Sequence, residues 1–595
     1  MKTPLSSLTT FTVKVNGKAI SDTTQIKSFE VTFATNRISS ACIEILDGDA
    51  SKSDFEVSSS DTFVPGNEIS IDAGYDSNNK EVFKGIIISQ NISINPGEGS
   101  MLEILCRDEA IKTTIGRKSS TFSQKKDSEI INSILGSYSK INKSVKATTD
   151  IWPQMVQYYA TDWDFILSRS EANGLLITNN NGKIAIINPL DDKTSVLSLT
   201  YGEDVIQFNG NLNSTNQLAN VNANSWDYKS QNIVSGSATT EYTGAGNLSS
   251  KKLSGVVDLK DYTLQTAASL NEENLRGWSK AQILKSELSK FCGEVTCQGT
   301  GKVYPGQFIT LNGLGKRFNG NHFVSGVTHT MSAGNWLTLI EFGLSSKWFT
   351  ETSDVIAPPA SGLLPGVNGL FTATVKKSYE DPDSQYRILV DIPLFDTTGE
   401  GLWARHGSFY ASNNAGAFFL PEVGDEVIVG FLNEDPRFPI ILGSLYSNSK
   451  LKPFEGLDPN ENNTTKAIVS KSGIQITFDD ENKIFTIVTP GKNTAVFNDK
   501  EKRITIKDEN SNSIVMSDTG IVMKSSKDIT IEADQSVTIK GNQGVAIESS
   551  AGDVNINGMN IKQSADVQFS AEGSASASVQ GGGELTLKGA MVMIN

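Results

Sequence analysis

With 595 residues the chain is too long for one hydrophobic core, so several domains are expected. Its 52 Lys and Arg against 67 Asp and Glu give a formal charge of −15, which favours solubility and excludes a general nucleic-acid binder with a basic face. The four cysteines (Cys42, Cys106, Cys292, Cys297) are scattered and lack the partners of a structural zinc site, so reduced thiols, no metal and no cofactor are expected.

In chain order, the amino terminus has no apolar run long enough for a signal peptide, and no later run is long enough to span a bilayer. The chain is expected to fold in the cytoplasm. Alternating runs such as Phe29–Phe33, Ala41–Ile45 and Glu68–Asp72 predict strands up to about residue 110. Asp47-Gly48-Asp49 resembles the start of a calcium loop, but it lacks the further oxygen ligands and reads as a turn. Ile130, Ile131, Ile134 and Leu135 share a helical face within Asp127–Ser139. Thr161 is a candidate N-cap for a helix that ends at Gly174 and turns Trp163, Ile166 and Leu167 inward. Asp162 and Asp164 could be paired catalytic acids; the commoner role for acids at that place is to favour a helix start, and that reading is taken.

Strands resume to about residue 260. A helix over Asn271–Phe291 puts Leu275, Trp278, Ala281, Leu284 and Leu288 on one side. Val303–Leu311 then reads as turn and strand. In the strand Gly320–Thr330, His322 and His329 are seven apart and should fall on opposite faces, unable to share a metal without a bulge. Ala357–Gly366, rich in proline and glycine, reads as a linker.

From Leu370 to Tyr446 short strands and turns follow closely. Val427, Val429 and Phe431 alternate after the Pro421–Asp425 turn, Asn433–Pro436 is a second turn, and Phe438–Gly443 is a short buried strand. The pattern fits a small closed barrel of the oligonucleotide/oligosaccharide-binding (OB) type. Trp403-Ala404-Arg405, Pro421–Val427, Phe431-Leu432-Asn433, Asp435-Pro436 and Leu442–Tyr446 together resemble the barrel of VgrG, the spike family of bacterial type VI secretion systems. The Thr161–Gly174 helix and the Tyr304–Thr330 strands are similar to the base of the same family, itself like the hub of contractile phage baseplates.

Beyond about Val469 alternating runs are separated by charged turns, and a register then settles in. Ile521/Met523, Ile529/Ile531, Val537/Ile539 and Val545/Ile547 recur every eight residues, with Val554/Ile556 after nine. Eight residues are too few to enclose a single-chain coil, and two aliphatics return less than it costs to order them. Three chains that wind together solve this and close the sheet edges. Ile529, Ile531, Val537, Ile539, Val545 and Ile547 are the expected trimer core. The terminal run keeps alternating, so Leu585, Leu587, Met591, Met593 and Ile594 are expected to form a sticky triangular end.

The expected fold is mainly β with minor α: a phage-hub-like β-barrel base with two subdomains and helical insertions (1–355), a linker (356–369), an OB-fold barrel (370–448), a connector (449–468) and an intertwined triple-stranded β-helix needle (469–595). The resemblance implies a non-enzymatic homotrimeric spike. Its expected partners are a PAAR-type tip protein at the carboxyl end, an Hcp-like tube protein at the base, baseplate components and effectors. It would be assembled in the cytoplasm and injected on sheath contraction, meeting the target membrane only mechanically and binding no nucleic acid. The spike of a phage tail or extracellular contractile particle is the alternative within the class. A β-helix carbohydrate-active enzyme is the alternative outside it, although the repeat acids Glu532, Asp534, Glu548 and Asp553 lie mostly in turns.

Overall fold

The computed structural model describes residues 8–594 apart from 98, 228, 241, 260, 353–354, 396–399, 448–451, 455–456 and 458–460. It divides into two compact units, Met1–Leu445 and Tyr446–Asn595, and is mainly β with minor α.

Most strands of the base join one thirteen-stranded sheet, whose faces are set by alternation. Phe29, Val31 and Phe33 turn inward from Ile26–Ala34, as Ala41, Ile43 and Ile45 do from Ser40–Leu46. The organising strand is Gly320–Ser332. Its first residues pair with Phe308–Asn312, its last with Ile26–Ala34, and Asn335–Phe342 runs along its other edge. This one strand serves two cores. Phe29, Phe33, Ile43 and Met331 belong to one, and Phe291, Val295, Val324 and Phe342 to the other. A register shift between Val324 and Gly326 changes the alternation along it. His322 and His329 are therefore both buried, but in different cores. His322 packs 5.6 Å from the Phe291 ring and 4.8 Å from Phe342, whereas His329 lies 6.3 Å from Phe33 and 5.8 Å from Trp336.

The expected helices form over Asp127–Leu135, Asp162–Ala172 and Glu272–Leu288. Their caps are local: Thr161 Oγ1 accepts from Asp164 N at 3.0 Å, and Asn271 Oδ1 accepts from Asn274 N at 2.8 Å. The first two pack Ile131, Leu135, Trp163 and Ile166 against Ile177, Ile184 and Ile186. The third is not one-faced as expected. Trp278 and Leu284 stay half-buried, Ile283 enters a small core with Leu218 and Val221, and Leu288 packs with Phe308 and Phe323. The cause is sandwiching, since this helix lies directly on the strand Asn232–Thr239. A Cβ added at Gly236 would meet Arg276 N at 2.4 Å.

The five strands Phe371–Lys377, Ile388–Asp391, Leu402–His406, Pro439–Leu445 and Glu426–Phe431 close into a barrel in that spatial order. Val375, Ile388, Val390, Ala404, Val427, Val429 and Ile441 fill it. The Pro-rich segment before it is not a free linker. Ala360 is fully buried, Val367 N donates to Glu434 O at 2.8 Å, and Asn433 Nδ2 donates to Ser361 Oγ at 3.2 Å.

The second unit begins with a strand inside the expected connector, Thr465–Val469. It is the first of seven five-residue strands in an antiparallel meander that ends at Gly520–Lys524. The expected intertwined β-helix needle spans 469–595, with the octad register from Ile521, so the stretch up to Lys524 is a meander where intertwined strands are expected. The turns between strands explain it: Asp479 caps the turn at Asn482, Asp508 caps Asn510 and Asn512, and Lys502, Ser511 and Gly520 take positive φ. Each turn reverses the chain before an octad can form. Among the described residues none beyond Ile441 is buried.

Candidate functional site

After Lys524 the chain runs extended, with bends at 526–527, 534–535 and 542–543, and again at 566–567, 574–575 and 582–583, an eight-residue cadence. The side chains keep time with it. Ile529, Val537 and Val545 are 54%, 54% and 53% exposed, and their partners Ile531, Ile539 and Ile547 are 69%, 68% and 70% exposed. Near-identical exposure means that each octad repeats one conformation. Few described backbone groups there have a partner; Gly552 N, for one, donates to Ser549 Oγ at 3.1 Å. Among the described residues, no backbone–backbone hydrogen bond is made beyond Lys524.

The five expected end residues separate by this register. Val554 and Ile556 come one residue late, but Ile561 and Phe569 restore the count, so Leu585 and Leu587 fall in phase with Ile529 and Ile531. Those two leucines continue the needle's own apolar row. Met591 is in phase with the bend residues Lys527 and Gln535 but follows a bend at 590, while Met593 is one octad past Leu585. Met591, Met593 and Ile594 are 80%, 83% and 85% exposed, well above the in-phase leucines. Met591, Met593 and Ile594 are thus set apart from Leu585 and Leu587 by their exposure. Val592, which the sequence reading left out, lies among them. Its signal was available, because no other octad carries four consecutive apolar residues at that place.

Of the candidate acids of the base, Asp162 has three side-chain partners. Asp162 is buried, and its carboxylate accepts from Lys118 Nζ at 2.5 Å, Tyr138 OH at 2.6 Å and Gln157 Nε2 at 3.0 Å. Burial alone would push its carboxyl up, but these three donors and the Lys118 charge hold it below the usual carboxylate range. Asp164 lines a groove of the base of about 870 Å³, with Tyr158, Trp278 and Trp348. In the same groove Glu171 accepts from Lys285 Nζ and Phe349 N at 2.8 and 2.7 Å, and Glu351 accepts from Trp348 N at 3.0 Å. Asp47 accepts from Gly48 N, Val57 N and Ser58 N, so that turn caps a short helix rather than holding a cation. Among the described residues no group of three or more His, Cys, Asp or Glu is placed to hold a metal ion, and no helix is long and apolar enough to cross a membrane.

The barrel, residues 371–446, matches the family model described as the type VI secretion system/phage-baseplate injector OB domain. The chain is similar to the type VI secretion system spike protein VgrG1c of Pseudomonas aeruginosa, 28% identical over 137 residues, which is 22% of this chain and 19% of that protein. It is also 32% identical over 97 residues to the spike protein VgrG3 of Vibrio cholerae, covering 15% of this chain and 10% of the relative. The matched stretch is thus a fifth or less of these relatives' own length. Among solved structures, the 43 kDa tail protein of prophage MuSo2 from Shewanella oneidensis aligns with 57% of this chain and 99% of its own, at 13% identity and a TM-score of 0.43. Residues 5–333 match the model described as the Alg8 N-terminal domain. Since that match takes in more than half of the 595 residues, the chain belongs to the family of the Alg8 N-terminal domain, with an injector OB domain behind it.

Proposed function

We propose that three copies of this chain form the spike of a contractile injection apparatus. The observation that carries this reading is the octad segment, an extended backbone whose described residues make no backbone–backbone hydrogen bond and whose half-exposed aliphatics recur at an eight-residue spacing. Such a segment is stable only when other strands supply its partners, and identical copies supply them in the same register. In this reading residues 1–355 form the base that caps a tube of Hcp-like rings and meets the baseplate. Residues 370–448 form a collar, and 469–595 form the needle. Met591–Ile594 from three chains make the platform for a PAAR-type tip, and effectors travel with the assembly. Sheath contraction drives the needle through the target envelope, so the work is mechanical rather than enzymatic. Export follows from injection, and neither nucleic acid nor a lipid ligand takes part.

The spike of an extracellular contractile particle or phage tail is the second reading. It is favoured by one observation: the family model that the barrel matches is described for phage baseplates as well as for type VI secretion systems. The test is the solution mass of the full-length chain by light scattering. A value near three times 64.1 kDa supports the spike, and a folded monomer overturns it.

A further inference from the structure

The helix Glu272–Leu288 lends Trp278 and Gln282 to the groove around Asp164, and Lys280, Leu284 and Glu287 to a second one of about 850 Å³. The latter three are spaced four and three residues apart and so share one helical face. The strand Asn232–Thr239 adds Ser237 and Thr239 to the lining, and the segments beyond the strands add Asn188, Lys193, Tyr242 and Thr243. Tyr242 and Glu287 also line a small inner cavity of about 20 Å³, together with Lys290 and His322. The groove therefore leads inward to two buried charges, Glu287 at 6% and Lys290 at 2% exposure.

The inner charges are already engaged. Glu287 accepts from Thr240 Oγ1 and, at 3.2 Å, from Tyr242 N, while Lys290 Nζ donates to Thr243 O at 2.5 Å and Leu248 O at 3.2 Å. Burial and the Glu287 charge push the Tyr242 phenol up to about 12, so its hydroxyl keeps its proton at neutral pH and can donate. Glu287 is the only acid among the described residues that line the groove. Lys193 and Lys280 stand differently. Both are exposed, and among the described residues neither makes an ion pair. The acids beside Lys193 in sequence are taken elsewhere: Asp191 by Lys146 Nζ at 2.5 Å, and Asp192 by Thr194 N at 2.9 Å. Lys193 Nζ lies 5.5 Å from the centre of the Tyr242 ring, which keeps the ammonium at the groove. In a chain of net charge −15, a groove whose two unpaired charges are both positive attracts anions against the general field.

Its volume is that of a small-molecule site and far exceeds one inorganic ion. The hydroxyls of Ser237, Thr239 and Thr243 and the amide of Asn188 suit a ligand that is itself hydroxylated. We infer that the groove binds an acidic sugar of one or two rings, its carboxylate or phosphate taken by Lys193 and Lys280 and its hydroxyls by these neutral polar side chains.

The test is titration calorimetry of the full-length chain with glucuronate, glucose 6-phosphate, glucose and inorganic phosphate. At least one of the two acidic sugars is expected to bind, and which of them does so names the anionic group. Glucose and inorganic phosphate should bind at least about tenfold more weakly. K193A/K280A, which alters only exposed side chains, should keep the wild-type Tm and bring the acidic sugars down to the level of glucose. No binding of either acidic sugar by the wild type would overturn the inference. So would glucose or inorganic phosphate binding as tightly as the acidic sugars, or unchanged binding by K193A/K280A.

Discussion

Asp127 shows how single residues hold the base together. It is almost fully buried, and its two oxygens take Arg169 Nε and Nη2 at 2.8 and 2.9 Å, Trp152 Nε1 at 3.0 Å and Asn173 Nδ2 at 2.9 Å. Burial disfavours the charge, yet the Arg169 guanidinium, Asn173 and Trp152 together keep the carboxyl below its ordinary range. Three segments meet there: two helices and the strand Ile151–Ala160. Asp127→Ala leaves the Arg169 guanidinium without its carboxylate, so the base should lose about 3–5 kcal/mol, seen as a lowered Tm in calorimetry. None of this was legible in the sequence, where Asp127 is simply the acid at a helix start; the partners come from residues 25 to 46 positions away. The N-caps Thr161 and Asn271 were legible or nearly so, because a cap is satisfied within three residues.

The strand Gly320–Ser332 shows the limit at the next scale. Its alternation predicted a strand, but its two pairings and its bulge depend on partners almost 300 positions away. The two histidines it buries give it a pH dependence. Burial pushes both imidazoles down to about 4, although the Phe318 carbonyl, accepting from His322 Nε2 at 2.7 Å, works against this at His322. An unfolded histidine titrates near 6.5. Between those pH values the unfolded chain therefore binds protons that the folded chain does not, and stability falls as the medium becomes more acid. The base should be at full stability above about pH 6.5 and lose up to about 3 kcal/mol per histidine on the way to pH 4. A calorimetric pH series checks this, and His329→Gln should leave roughly half of the slope. Further acidification protonates Asp127 and Asp162, whose depressed carboxyls delay their share of the loss to lower pH.

Across the whole molecule, what could be read from the sequence follows how local each constraint is. The barrel was legible because its turns and strands lie in one short stretch, and the octads were legible because a period needs no partner to be seen. The meander was missed: its strands are spaced about ten residues apart, and only the hairpin register aligns Phe478 with Phe485 and Phe497. Met591, Met593 and Ile594 are 80%, 83% and 85% exposed. Met593→Asp should weaken capture of the tip protein in co-purification and leave the trimeric mass unchanged; undiminished capture would remove the platform from Met591–Ile594. The eight-residue cadence also makes the needle a ruler with evenly spaced marks. Excising residues 537–544 removes one mark and leaves every later side chain in its former phase, so a shorter spike should assemble with unchanged melting behaviour. Excising only 537–540 puts Val545 and all that follows half a step out, and assembly beyond that point should fail. The length of the segment can thus change in whole octads at little cost to folding, so its reach is set apart from its fold.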